Sequence, residues 1–291
     1  VRGPSIVRRS LPGWGPSSPG AVARTICAYV ALTALALVLM LPFLWMVSTS
    51  LADQFEVYSY PPKLWPSQPH WDNYAKALTQ LPFGRFFLNS LVMSLGTVGG
   101  QLLICSMAAY GFARLRFAGK GVVFGSYLAT MLIPQIVLVI PLFLVVQAFG
   151  WMNTYWALIV PFVNSVWGIF LLRQFFLTLP RELEEAARLD GASEWTIFTR
   201  IILPLSKPAL ATLAIFAFIS TWQSFLWPLI VTDSMSMRPV EVGVAMFSTL
   251  YTTNLPYQMA AAVTVTLPII VVFLVAQRYF IRGIALSGVR G

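Results

Sequence analysis

Arg181 to Pro204, RELEEAARLDGASEWTIFTRIILP, decides how this chain is read. It is the one long charged segment between strongly apolar stretches, so it must lie in water between two membrane crossings. Pro180 can open a helix at its first turn. Glu182, Glu184 and Glu185 then sit near the helix N-terminus, where the dipole favours negative charge. Leu183, Ala186, Ala187 and Asp190 fall at i, i+3, i+4 and i+7, which gives one face a low profile. Gly191 can end this helix, and Ser193 can cap a second one running through Arg200 toward Ile201 and the membrane at Pro204. The expectation is a short helix, a sharp turn and a second helix returning to the bilayer. A segment lying flat on lipid would favour an excess of cations. Residues 181–190 instead set Glu182, Glu184, Glu185 and Asp190 against Arg181 and Arg188, a mixture that suits a protein partner better.

The surrounding composition is that of a polytopic membrane protein. Of 291 residues 58% are hydrophobic and 10% charged, with a mean hydropathy of +0.76, whereas ordinary soluble domains are roughly one-quarter charged. Crossing a hydrocarbon core takes about 20 apolar residues. Six runs reach that length: Ile26 to Val47, Phe87 to Gly111, Val122 to Ala148, Tyr155 to Phe176, Ala209 to Val231 and Met259 to Phe280. Helices are expected for all six, because in lipid only a helix or a closed barrel satisfies its own backbone.

The net charge of +9 could suggest nucleic acid, but its distribution argues otherwise. With the N-terminus in the cytoplasm, fifteen of the nineteen basic residues fall inside, and only Lys63, Lys76, Arg85 and Arg238 fall outside. The positive-inside rule therefore predicts cytoplasmic termini and a cytoplasmic loop at 181–204. The basic excess then reports topology and contact with anionic lipid. Cys27 and Cys105 both lie in predicted spans without ligand-spaced neighbours, which predicts buried free thiols.

Residues 1–24, rich in Gly, Pro, Ser and Arg, are expected to be a disordered cytoplasmic tail; a signal peptide is disfavoured because the run that follows exceeds an h-region of about 7 to 15 residues. From Ser48 to Phe86 the chain is expected outside, with prolines excluding a helix before Asp72. Trp65, Trp71 and Tyr74 there read as interfacial anchors or as contacts to an external partner. His70 has no second ligand in sight and reads as solvated. Gly96-Thr97-Val98-Gly99-Gly100 holds a GxxxG pattern expected to let another helix approach closely. Pro134, Pro141, Pro161, Pro228 and Pro268 are expected to kink their spans.

No Asp, Glu, Lys, Arg or His stands at mid-depth in any predicted span, which disfavours an ion-coupled carrier. HExxH, GxSxG and paired acids are absent, which disfavours a membrane enzyme. The spans keep neutral polar groups, among them Gln101, Gln135, Asn164, Ser165, Gln223 and Ser224. In Trp222-Gln223-Ser224-Phe225-Leu226-Trp227 amide and hydroxyl groups stand among ring faces, the chemistry a neutral polyhydroxylated substrate needs. Gln223, Asn164, Trp222, Ser224 and Gln135 are therefore substrate-path candidates, against the alternative that the amides tie helices together.

Glu185-Ala186-Ala187, three residues, Gly191, nine residues, then Ile201 with Leu203-Pro204 resembles the EAA motif of ABC importer permeases. Together with Ala108 to Leu115 (AAYGFARL), Leu171 to Phe176 (LLRQFF), Leu203 to Leu210 (LPLSKPAL) and Gln277 to Phe280 (QRYF), it is similar to the carbohydrate importer permeases of the maltose-transporter MalG type. Two departures stand out: Trp222-Gln223-Ser224-Phe225 replaces the family's Trp-Asn-x-Phe, and the outer loop Asp233 to Pro256 differs. The tail Gly288 to Gly291 is similar to the family's C-terminal ending.

The resemblance implies an all-α permease of six spans in the inner membrane of a bacterium or archaeon, non-catalytic itself. It implies a heterodimer with a second permease, two ATPase subunits bearing ATP and magnesium, and an external solute-binding protein. Leu183, Glu185, Ala186, Ala187, Arg188, Asp190 and Gly191 would engage the ATPase. No GxxxxGK[ST] phosphate cradle occurs in the chain, so ATP would have to be used on another polypeptide. A neutral sugar is the expected substrate, with glycerol phosphate or another sugar phosphate as alternative cargo and a membrane scaffold as the alternative class. No metal site is expected.

Overall fold

In a computed structural model, which describes residues 19–61, 63–248 and 254–287, the regular structure is helical, and no strand occurs among the described residues. The first helix, α1 (Pro19–Ser50), begins earlier than the sequence suggests. The stretch 19–24, expected as tail, is helical because Pro19 fits a first turn and the alanines that follow favour helix. Residues 1–18 lie outside the described residues.

After α1 come α2 (Asp72–Gln80), which starts at the residue where the prolines release the chain, and α3 (Phe83–Ala113). Next are α4 (Lys120–Ala129), α5 (Val139–Ala148), α6 (Tyr155–Ile159) and α7 (Val166–Thr178). The charged loop forms α8 (Glu182–Leu189) and α9 (Glu194–Ile197), followed by α10 (Leu203–Leu205), α11 (Lys207–Trp222) and α12 (Leu226–Val231). A short α13 (Val240–Ala245) and the long α14 (Leu255–Ser287) complete the described chain.

Among the described residues three helices are long and apolar enough to cross a membrane: α1, α3 and α14. Three bent pairs raise the number to six if each is one span. They are Lys120–Leu132 with Gln135–Ala148 at 95°, Tyr155–Phe162 with Val166–Thr178 at 42°, and Glu194–Leu205 with Lys207–Trp222 at 77°. Pro134 stands at the first break and Pro161 inside the short 3-10 turn of the second. Pro268 lies within α14, which runs on through it. The expected single span from Ala209 to Val231 is not one helix. Its backbone breaks after Trp222, and α12 restarts at Leu226.

α3 is the central strut, packed against α11, α7, α13, α6 and α2, while α1 lies against α14. The GxxxG pattern does what its spacing predicts. A Cβ at Gly96 would come within 2.8 Å of Ile159, and one at Gly100 would collide with Val163. Gly99 has nothing within 4 Å. One apolar core gathers Cys105, Ala109, Phe124, Leu172, Phe176, Ile197 and Leu213 near the 181–204 loop. A second, with Phe83, Phe86, Trp222, Val240 and Ala261, lies where α3 begins. Cys105 is buried as expected, but Cys27 is exposed, because the surface of α1 is turned outward along most of its length.

Where α3 begins, the stretch after α12 is strapped onto it. Arg85 Nε donates to the Ser236 carbonyl at 2.9 Å, and Asn89 Nδ2 donates to the carbonyls of Ser236 (2.8 Å) and Arg238 (2.9 Å). The Val240 amide donates to Ser90 Oγ at 2.9 Å.

Candidate functional site: a knuckle closed by a ring of side chains

The charged loop folds into the expected pair of short helices. α8 ends in a Schellman motif: the Ala192 amide donates to the Ala187 carbonyl at 2.9 Å and the Gly191 amide to Arg188 at 3.1 Å. This closure needs Gly191 in the left-handed region, where its φ is +81°. Ser193 caps α9, its Oγ accepting from the Thr196 amide at 3.2 Å. Residues Phe198–Ile202 then form a π-helical turn that leads into α10.

The knuckle presents apolar side chains to its surroundings. Leu183 is 45% exposed, Leu189 90% and Trp195 59%. Glu185, Ala186, Asp190 and Gly191 are exposed as well, whereas Ala187 packs on the core.

What fixes the knuckle is a set of contacts that spacing alone does not reveal. Arg114, at the end of α3, places Nε 2.8 Å from Glu184 Oε1, with side chains 2% and 3% exposed. The guanidinium's formed hydrogen bonds come from Nη2, to the carbonyls of Phe176 (2.6 Å) and Leu179 (2.7 Å) at the end of α7. Glu184 also faces Arg188 Nη2 at 3.4 Å, and Arg188 Nε donates to Glu194 Oε1 at 2.8 Å. Tyr110, one turn before Arg114 on α3, donates its hydroxyl to Glu194 Oε2 at 2.6 Å. The hydrogen bonds from Arg188 and Tyr110 hold the Glu194 carboxyl below the usual carboxylate range, and Glu194 in turn raises the Arg188 guanidinium. The chain Arg114–Glu184–Arg188–Glu194–Tyr110 is thus a closed ring, its Arg114–Glu184 link an ion pair without a formed hydrogen bond, and both its ends stand on one face of α3.

The neutral polar candidates gather at helix breaks. Gln135 follows Pro134 at the 95° break and is exposed. Asn164 lies in the 42° break, exposed, with Oδ1 accepting from the Tyr127 hydroxyl at 2.6 Å. Gln223 and Ser224 occupy the gap between α11 and α12, with Gln223 exposed and Ser224 half-buried. Trp222 is different: it is 2% exposed, stacks on Phe218, and donates its indole N–H to the Val265 carbonyl at 3.1 Å. It also borders an apolar groove of about 860 Å³ between α3, α11 and α14. Gln101 braces the Asn164 break, its Nε2 donating to the Phe162 carbonyl at 2.8 Å.

Of the other candidates, Trp65 and Trp71 are exposed (56% and 68%), whereas Tyr74 is half-buried and shares a 2.8 Å hydrogen bond with Ser50 Oγ. His70 Nδ1 lies 3.7 Å from Asp72 Oδ1. No metal-binding group of His, Cys, Asp or Glu occurs among the described residues.

Long apolar helices, bent helix pairs and a charged helical loop between them are the architecture of a membrane transport subunit. Residues 100–286 match the family of binding-protein-dependent transport system inner membrane components, and the chain belongs to it. It is 37% identical to the probable ABC transporter permease protein YurM of Bacillus subtilis over 86% of this chain and 83% of that protein. It is 38% identical to the arabinooligosaccharides permease AraQ of the same organism, over 71% and 74% of the two chains. With the sn-glycerol-3-phosphate permease UgpE of Yersinia pestis the identity is 34%, over 89% and 94%. A solved bacterial ABC transporter that imports alginate shares the fold, with a TM-score of 0.78 at 24% identity over 90% of this chain and 98% of that one. The chain is a transport subunit of an inner-membrane ABC system rather than an enzyme.

Proposed function

We propose that this chain is one half of a heterodimeric permease that imports a neutral sugar, with the 181–204 knuckle and both termini in the cytoplasm. In this reading the knuckle seats on one of two ATPase subunits, which hold ATP and magnesium, and a solute-binding protein delivers the sugar on the opposite side. The observation that carries it is the knuckle itself: exposed Leu183, Leu189 and Trp195 on short helices fixed from behind by the buried Arg114–Glu184 ion pair. A flexible loop would transmit no displacement, whereas a rigid projection with an apolar tip can be seated and moved.

Non-helical backbone at membrane depth is tolerated where it lines a cavity or is buried in protein. Exposed Gln135, Asn164 and Gln223 at such breaks support a path lined by amides, suited to sugar hydroxyls. The names of the relatives include both an arabinooligosaccharide and a glycerol-phosphate permease. The lack of cations at mid-span favours the neutral cargo from this chain's side of the path, since an anion prefers cationic or helix N-terminal groups. Trp65 and Trp71 are the proposed contacts to the binding protein.

The test is reconstitution of the full complex with Glu185→Lys and with Gly191→Trp. Loss of uptake and of stimulated ATP hydrolysis is expected in both. Survival of both activities in correctly assembled complexes overturns the docking reading. Binding of a panel of neutral sugars and of glycerol phosphate to the cognate solute-binding protein decides the cargo.

A further inference from the structure

We infer that the side-chain ring Arg114–Glu184–Arg188–Glu194–Tyr110 is the mechanical link of this permease, with Glu184 and Tyr110 as positioning residues that make the knuckle and α3 one rigid body. The inference rests on the proposed docking of the knuckle and adds where its displacement goes.

The covalent chain alone does not provide that rigidity. α8 is joined to α7 only through the non-helical residues 179–181, and the regular α-helical hydrogen bonding of α9 stops at Ile197, where a π-helical turn takes over. The side chains supply the missing connections. Arg114 joins three elements at once: its own α3, the last carbonyls of α7, and Glu184 of α8. Tyr110 ties α9 to the same helix one turn away, and its ring packs on Phe198 with centroids 5.2 Å apart. Two attachments on one helix resist rotation as well as translation, which a single attachment does not.

From the ring, α3 leads directly to a break in the neighbouring span. Gly96 and Gly100 let α3 touch Ile159 and Val163, and Gln101 holds the Phe162 carbonyl. Ile159 to Val163 immediately precede Asn164. A shift of the knuckle that carries α3 therefore bears on the backbone presenting Asn164. Glu185, the acid of the EAA pattern itself, has no such connection; the neighbouring Glu184 has it. This separates the two glutamates into an outward one, available to a partner, and an inward one that transmits.

The test uses the whole reconstituted complex with Glu184→Gln and Tyr110→Phe, reading retained ATPase subunits, basal ATP hydrolysis, and ATP consumed per sugar imported. Tyr110→Phe keeps the ring that packs on Phe198 and loses one hydrogen bond, so it decides the matter even where Glu184→Gln does not assemble. The expected result is retained ATPase and basal hydrolysis, with ATP per sugar raised about 2- to 12-fold for Tyr110→Phe, the loss of one hydrogen bond, and further for Glu184→Gln, which removes the charge from a buried pair. A loss confined to folding would lower the amount of complex and leave that ratio unchanged. An unchanged ratio in the assembled Tyr110→Phe complex overturns the inference. Failure of the unmodified permease to retain any ATPase overturns the docking reading instead.

Discussion

Arg114 and Glu184 come from separate helices and meet 2.8 Å apart with almost no exposure to solvent, while Glu185, the next residue, is exposed. Removing one partner of a buried ion pair leaves an uncompensated charge and destabilises by about 3–5 kcal/mol. Glu184→Ala is therefore expected to lower the unfolding midpoint in detergent sharply. Glu185→Ala, at an exposed position, should stay within about 0.5 kcal/mol of the unmodified chain. Equal shifts for the two would contradict the burial that distinguishes them.

The glycines of α3 supply a second contrast. Gly100 lies against Val163 with no room for a Cβ, whereas Gly99, one position away, faces open space. Overpacking a tight contact costs about 1–3 kcal/mol, so Gly100→Leu should reduce folded yield and loosen the Tyr155–Thr178 region toward protease. Gly99→Leu should do neither; in lipid it adds only apolar surface. Limited proteolysis of the two purified variants, side by side, checks the prediction.

Much of the knuckle is legible in the sequence. Gly191 and Ser193 mark a helix end and a helix start through residue types that only a few backbone positions favour, and both occupy those positions. Asp72 likewise begins α2, because the prolines before it exclude an earlier start. The ring was not legible. Arg114 and Tyr110 belong to a different helix from Glu184 and Glu194, and no spacing rule joins residues so distant in the chain. The i, i+4 pair Glu184–Arg188 was the one local hint. The break at 223–225 escaped for another reason: the apolar run from Ala209 to Val231 is nearly continuous, and hydropathy measures length, not direction. The polar pair Gln223-Ser224 carried the signal, since amide and hydroxyl groups suit a place where helical hydrogen bonding lapses.

The stretch between α1 and α2 contains a titratable clasp. Glu56 accepts from Lys63 Nζ at 2.8 Å and from the Ser67 amide at 3.0 Å, and these bonds hold its carboxyl down to about 2. A carboxyl depressed in the folded state stabilises above its unfolded value, and that contribution is lost as pH falls through the folded one. The clasp should therefore hold from neutral pH through the ordinary carboxylate range and release only as pH approaches 2. Trp65 lies between Lys63 and Ser67, and as one of ten tryptophans it reports this through the difference in fluorescence between the chain and its Trp65→Phe variant. Lys63→Met should move the acid transition upward toward the ordinary carboxylate value.

Within Trp222-Gln223-Ser224, adjacent residues are expected to fail in different ways. Trp222 is buried with its N–H bonded to Val265, so Trp222→Ala should destabilise by about 3–5 kcal/mol and lower the amount of folded permease. Gln223 is exposed at the break, so Gln223→Leu should leave folding intact and act on transport alone. If its amide meets a sugar hydroxyl, losing one hydrogen bond of about 0.5–1.5 kcal/mol raises the half-saturating sugar concentration by about 2- to 12-fold. Asn164→Leu should behave similarly, with the added loss of the Tyr127 contact. Uptake measured against sugar concentration, normalised to assembled complex, separates the two classes. Unchanged saturation in both amide variants would remove these two breaks from the path.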